Sequence, residues 1–194
     1  MRRIIGVDPG LAGGLGILDL PSHEGERMRG QRAQLVRTPV VRTRRRARDR
    51  IEYDLPAMHE LLQHLTRLPE ELAAMSIELV LEEQQAMPRS LRGRHQGGSS
   101  TFRVGLGFGV WLGLVTAARV PFTTVRPAEW KKHHHLNGCD KRASRLRCGQ
   151  LFPILGSIAA SNEGPAEALL LAAFIAQTGP PARKGDPVHG NAPV

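Results

Sequence analysis

The stretch "IIGVDPGLAGGLGIL", residues 4–18, constrains the fold more than any other part of the chain. Two isoleucines and a valine run into Asp8, a glycine-rich turn follows, and a second apolar run completes the pattern. This predicts a β-hairpin with strands over residues 3–8 and 14–20 around the turn "DPGLAGG". It also sets a problem for Asp8. A lone carboxylate at the end of a buried strand costs several kcal/mol, roughly, unless it is paired or holds a metal. Asp-Pro-Gly is equally ordinary turn chemistry, so this stretch alone leaves Asp8 readable as a loop cap. Partners elsewhere in the chain must decide.

Downstream, strands and helices alternate. "QLVRTPVVR", residues 34–42, predicts a strand with Pro39 at an edge or bulge. "RTRRRARDR", residues 42–50, carries six arginines and one aspartate, and reads either as a solvated loop or as a contact to a DNA backbone. A helix follows, capped by Asp54, with Pro56 in its first turn and Leu61, Leu62, Leu65 and Leu68 on its buried face. "SIELVLEEQ" predicts a strand ending at Glu82 and Glu83. Side chains alternate across a strand, so the two acids point to opposite sides, and Glu83 is left out of any site with Glu82. A polar loop, "PRSLRGRHQGGSS", leads to a helix over 102–118 with Gly105, Gly109 and Gly113 four apart, which most simply permits a close helix crossing inside the fold. Then come the strand "VPFTTVR", a Lys/His-rich segment, a helix near 140–152 and a last helix, "AEALLLAAFIAQ", opened by Gly164 and Pro165. Residues 1–178 read as one α/β domain with helices on a mixed sheet, and 179–194 as a disordered tail.

The chain carries a net charge of +9, with a pI near 10.9, which points to a polyanionic partner. Nucleic acid fits better than an anionic membrane surface, because no segment resembles an amphipathic anchor. The most apolar stretch, Val104 to Ala118, is 15 residues long, short of the roughly 20 needed to span a bilayer. The opening "MRRIIG" reads directly as a strand, without a leader. Cys139 and Cys148 lie nine apart with no CxxC pattern, and read as free thiols. The run His133–His135 reads as solvated, with His133 in reach of phosphate.

Glu163 and Glu167 complete the acids. Glu163 precedes the last helix, Glu167 lies in its first turn, and their spacing of four brings both to one side. Each acid taken alone has an ordinary explanation, since acids near a helix N-terminus complement its dipole. Together, Asp8, Glu82, Glu163 and Glu167 supply hard oxygen ligands from different elements, as a phosphate-processing metal site requires. A basic surface around an acidic centre suits DNA chemistry.

The segments "IIGVDPGLAGGLGIL", "LVLEEQ", "SSTFRVGLGFGVWLGLVTA", "VPFTTVRPAEWKK", "DKRASRLRCGQLFP" and "EGPAEALLLAAF" occur in the order found in one family. The chain resembles the RuvC-type Holliday junction resolvases of the ribonuclease H-like superfamily, and particularly the plastid members of the monokaryotic-chloroplast type. The resemblance implies a ribonuclease H-like fold, a mixed central sheet with helices on both faces. It implies a homodimeric endonuclease that nicks two opposing strands of a four-way DNA junction. The cofactor would be Mg²⁺, two ions per site, with Mn²⁺ substituting and no small-molecule cofactor or membrane partner. Asp8, Glu82, Glu163 and Glu167 match metal ligands, and Lys131 and Lys141 match lysines that support the scissile phosphate. Relatives usually carry Asp or His at the position of Glu163, and glutamate's longer reach changes the geometry there. DNA contacts are expected from Arg44, Arg45, Arg46, Arg92, Arg94, Gln96, Lys132 and Arg145, with loop 88–100 entering the junction centre. The 102–118 helix, with Trp111 adding apolar contact, is expected at the dimer interface. The implied location is a chloroplast nucleoid, with a bacterial or phage-infected cytoplasm as the alternative. Competing classes are a catalytically inactive junction-binding protein, a ribonuclease H proper, and an actin-like kinase or ATPase. The last needs a second, duplicated domain for which 194 residues leave no room.

Overall fold

The computed structural model of the chain describes residues 1–21, 31–45, 48–67, 75–84 and 98–180. The hairpin forms as its sequence predicts: β1 (Arg2–Asp8) pairs antiparallel with β2 (Gly14–Leu20), which pairs antiparallel with β3 (Arg32–Arg37). On the other side of β1 lies β6 (Ser76–Glu82), parallel to it, and then β7 (Phe122–Val125), parallel to β6. The result is a five-stranded mixed sheet, order β3-β2-β1-β6-β7.

Both faces of this sheet are covered. One carries α6 (Glu163–Thr178) along its centre, flanked by α3 (Pro127–His133), α4 (Lys141–Leu151) and α5 (Gly156–Ser161). Ile4, Leu18 and Val80 pack there against Leu169, Leu170 and Ala172 of α6, and Trp130 of α3 joins the same cluster. The opposite face carries α1 (Leu55–Thr66) and α2 (Gly98–Ala117), whose Met58, Leu62, Trp111 and Val115 meet Ile5, Val7, Leu79 and Leu81. The alternation along β1 sorts its side chains accordingly. Ile4 and Gly6 face α6, Ile5 and Val7 face α1 and α2, and Asp8 therefore falls on the α6 side.

The approach of α6 depends on missing side chains. A Cβ on Gly6 would overlap the backbone oxygen of Ala168, and one on Gly16 would overlap the backbone of Leu169. Glycine at these strand positions lets the helix lie directly on the hairpin. Gly105, Gly109 and Gly113 do not behave this way. Among the described residues a Cβ at each would meet nothing within 4 Å, so they make no close crossing there, and Gly107 is the glycine that α2 packs tightly, against Tyr53 and Pro9. Trp111 is fully buried in the core and is absent from the exposed strip of α2, which instead shows Phe102 and Leu106. A role for Trp111 in a dimer contact is thereby excluded.

Two further expectations need correction. The strand predicted over 34–42 is two strands: β3 ends at Arg37, and β4 (Val40–Arg45) belongs to a separate two-stranded ribbon with β5 (Arg48–Tyr53). Pro39, which has no N–H to continue a ladder, separates them. Residues 42–45 and 48–50 of the arginine run accordingly belong to the strands of a β-ribbon, its register running from Val40 opposite Tyr53 to Arg45 opposite Arg48. Charge hid the strand signal, because the β-branched residues Val40, Val41, Thr43 and Ile51 stand among arginines. Helix α3 is not visible in the sequence pattern either, since a short polar segment has little periodicity of its own. The last helix begins at Glu163, so Glu163 is its first residue and does not precede it. Leu68, loop residues 88–97 and the tail from 181 lie outside the described residues.

Candidate active site

The register of β1 and β6 is decisive for the acids. With Val7 opposite Leu81, the next residues along, Asp8 and Glu82, stand side by side at the carboxyl ends of two parallel strands. Crevices beyond such strand ends are where open α/β sheets bind ligands. Glu167 of α6 joins them from above. Asp8, Glu82 and Glu167 line one cleft together with Trp130, Ala168 and Leu171. Glu163, one helical turn earlier, does not line it, although α6 abuts the turn after β1, where a Cβ on Gly164 would overlap Ala12 and Gly13.

Each acid is held by the chain. Asp8 Oδ1 accepts the Gly10 N–H at 3.1 Å, an Asx turn that also serves the loop-cap reading. Tyr53 donates its hydroxyl to the Pro9 carbonyl at 3.0 Å, tying the base of the ribbon to the same turn. Burial, and then the charge of Asp8, raise the Tyr53 pKa. Glu82, only 8% exposed, accepts the Trp130 indole N–H on Oε1 at 2.9 Å and the Gln84 amide on Oε2 at 3.0 Å. Glu167 Oε1 accepts the Ser144 hydroxyl at 2.8 Å and lies 3.6 Å from Lys131 Nζ. The Lys131 ammonium also sits 5.1 Å over the Trp130 ring.

Glu82 carries the electrostatic signature of the site. Burial, followed by the Asp8 charge, pushes its pKa up to about 7, against the lowering effect of the Trp130 hydrogen bond; Glu167 raises it further and Lys131 opposes. A buried carboxylate flanked by two others is a group whose charge calls for a cation. The donor set fits a hard divalent ion, since it consists of carboxylate oxygens without thiolate or imidazole. Among the described residues, however, no three His, Cys, Asp or Glu side chains already converge at metal-binding spacing. A cation would have to draw the acids together.

The other expected site residues divide. Lys132 is exposed and Arg145 half-buried on the face that carries α3 and α4. Lys141 begins α4, capped by Asp140, whose Oδ1 accepts the Ala143 N–H at 3.0 Å; its side chain is outside the described set. Arg44 is exposed on the ribbon, while Arg45 is described only as backbone. Arg46, Arg92, Arg94 and Gln96 lie outside the described residues. Glu83 stands apart from the cleft, 3.6 Å from Arg126. The histidine run is not uniformly solvated. His134 is buried with Nε2 against the Leu170 carbonyl at 2.8 Å, and His133 pairs with Gln177 at 2.7 Å. Both cysteines are free, Cys139 exposed and Cys148 buried, with burial pushing the Cys148 thiol up to about 12. Ser144 is a site residue that the sequence does not reveal, since nothing marks it except its place three residues into α4 after Lys141.

The sequence matches no protein-family model and no curated protein. Its structure does have counterparts. Thermus thermophilus RuvC superposes with a TM-score of 0.54 at 19% identity, covering 92% of this chain and 97% of that one. Thermus thermophilus RuvC in complex with a Holliday junction substrate gives 0.53 at 18%, covering 91% and 96%. The chain has the RuvC fold. At this level of identity the likeness is one of architecture, a ribonuclease H-like mixed sheet with helices on both faces, spanning nearly the whole of each chain.

Proposed function

We propose that this protein is a structure-selective DNA endonuclease that resolves four-way junctions by nicking two opposing strands. The observation that carries the reading is the cleft that Asp8, Glu82 and Glu167 line at the strand ends, beside Lys131 and within a RuvC fold. The net charge of +9 supports a DNA partner. So does the solved RuvC structure that holds a Holliday junction substrate.

Asp8, Glu82 and Glu167 would hold divalent cations, two Mg²⁺ ions with Mn²⁺ able to substitute, and Glu163 would join from the start of α6. Bound ions of this kind neutralise phosphate charge and polarise the attacking water. The remaining work falls to the chain. Lys131, kept near the cleft by Glu167, offers its ammonium to the charge that develops on the scissile phosphate, and Lys141 does the same from the start of α4. Trp130, Ala168 and Leu171 wall the cleft with apolar surface, lowering the local dielectric around these charges. The arginines of the β4–β5 ribbon, with Lys132 and Arg145, would hold the duplex arms. A two-fold homodimer through the exposed strip of α2 would present two identical sites to two equivalent strands. The motif likeness supports a plastid-type enzyme working in a chloroplast nucleoid, or a bacterial or phage relative.

The test is cleavage of a mobile four-way junction in Mg²⁺ by the wild type and by Asp8→Asn. Paired, ligatable nicks by the wild type, and none by Asp8→Asn at comparable junction affinity, support the proposal. Tight junction binding without nicking in either Mg²⁺ or Mn²⁺ would leave a binding protein only, and preference for RNA–DNA hybrids would indicate a ribonuclease H.

A further inference from the structure

We propose that Trp130 is a positioning residue for Glu82, its indole N–H fixing the orientation in which that carboxylate meets a divalent cation. The inference rests on the metal-dependent reading above and adds to it a residue outside the ligand set. Helix α3 has only seven residues, yet its C-terminal end is fastened to α6. Pro127 starts it, and just beyond its C-terminus the imidazole of His134 meets the Leu170 carbonyl at 2.8 Å, which fastens it to α6. A carbonyl only accepts, so His134 carries its proton on Nε2. One turn ahead of this tie, Trp130 is 1% exposed and packs among the residues of the α6 face.

The next residue along, Lys131, reaches Glu167 of α6 at 3.6 Å, while Trp130 reaches Glu82 of β6 at 2.9 Å. Adjacent positions on one clamped helix thus address acids on two different elements. The indole is well suited to the first task. It is a rigid single donor that cannot accept, and it brings no charge to compete with a cation. Its bond occupies one acceptor position of Glu82 Oε1, and the Gln84 amide occupies one on Oε2, so each oxygen keeps a second lone pair for a ligand. Donors that orient ligating groups in this way govern metal affinity, and their loss typically costs about 10–100-fold.

The experiment compares full-length wild type, Trp130→Phe, and a protein with the ring isostere benzothienylalanine at position 130, which keeps the shape of the indole and lacks its N–H. Mn²⁺ binding is followed by paramagnetic resonance without DNA, four-way junction binding in Ca²⁺ by anisotropy, and nicking by single-turnover assay over a Mg²⁺ titration. We expect both replacements to weaken Mn²⁺ binding about tenfold and to raise the half-saturating Mg²⁺ concentration for nicking in parallel. Junction affinity should stay within about twofold, since no DNA contact changes. If the benzothienylalanine protein binds Mn²⁺ as tightly as wild type, Trp130 is packing alone and the inference is overturned; that holds even if Trp130→Phe fails to fold. If wild type binds Mn²⁺ no better than Asp8→Asn, the metal-dependent reading itself fails, a result distinct from the first.

Discussion

Glu82 and His134 are buried on the same side of the sheet, and burial acts on them in opposite directions. Glu82 has its pKa pushed up to about 7 by burial and then by Asp8, whereas burial lowers that of His134 to about 4. For Glu82 the folded state binds its proton more tightly than the unfolded chain. Its contribution to stability is therefore full at acid pH and is lost as the pH rises through about 7. Glu82→Gln should leave the melting temperature unchanged near pH 4.5, but raise it at pH 8 in chelator, where the gain in stability reaches up to about 3 kcal/mol. Adding Mg²⁺ at pH 8 should stabilise wild type and not the variant, while the variant loses all nicking. A fall in melting temperature for Glu82→Gln at pH 8 would contradict this account. His134 has the opposite sign: its contribution is full above pH 6.5 and is lost as the pH falls toward about 4. His134→Gln, which keeps an N–H for Leu170 and does not titrate, should flatten the loss of stability between pH 6.5 and 4 in a pH series of thermal melts.

At the scale of elements, the site depends on how closely α6 lies on the β1–β2 hairpin. Gly16 lies beneath Leu169 and Gly6 beneath Ala168, next to Glu167 in the chain. Backbone is the obstacle in both cases, so an added methyl has nowhere flexible to push. Overpacking of this kind costs about 1–3 kcal/mol, occasionally more. Gly16→Ala should lower the urea midpoint by a corresponding amount. It should also slow nicking beyond what unfolding explains, because Glu167 moves with its helix. Gly109→Ala is the contrasting control: nothing among the described residues lies within 4 Å of the new methyl, and a helix interior favours alanine over glycine by about 1 kcal/mol, so the urea midpoint should rise rather than fall.

Over the whole molecule, charge and symmetry matter. Arg42, Arg44 and Arg50 are exposed on the β4–β5 ribbon, which forms its own small sheet outside the main one. A two-stranded ribbon of this width fits a DNA groove. Replacing all three with alanine should reduce the slope of log affinity against log salt by up to about 0.9 for each phosphate that is no longer neutralised. Nicking of already bound junction should be unaffected, because none of the three lines the acidic cleft. A variant with an unchanged salt slope would remove the ribbon from the DNA surface. The open side of α2 allows a cleaner test of assembly. Gly109 is exposed and a Cβ there meets nothing within 4 Å among the described residues, so the effect of Gly109→Leu should appear between chains: a shift from dimer to monomer in sedimentation, with secondary structure retained. If wild type sediments as a monomer that still makes paired nicks, the dimer proposal fails. Among the described residues no helix is long and apolar enough to cross a membrane.

Local chemistry made much of this protein legible in its sequence. The β1–β2 hairpin, the Asp54 cap of α1 and the strand that delivers Glu82 all follow from alternation, turn residues and capping, which act over a few residues. The parity of β6 also separated Glu82 from Glu83, because strand alternation is a local rule. What the tertiary structure decided are relations between segments far apart in the chain. The role of Trp130 depends on a carboxylate 48 residues earlier, and that of Ser144 on one 23 residues later. Gly6 and Gly16 show as packing residues only when α6 lies on them, while the regularly spaced glycines of α2 meet none of the described residues. Side-chain period reveals which face of an element is buried but not what covers it. That depends on the packing of the whole chain, where a tryptophan can be core in α2 and a hydrogen-bond donor to an acid in α3.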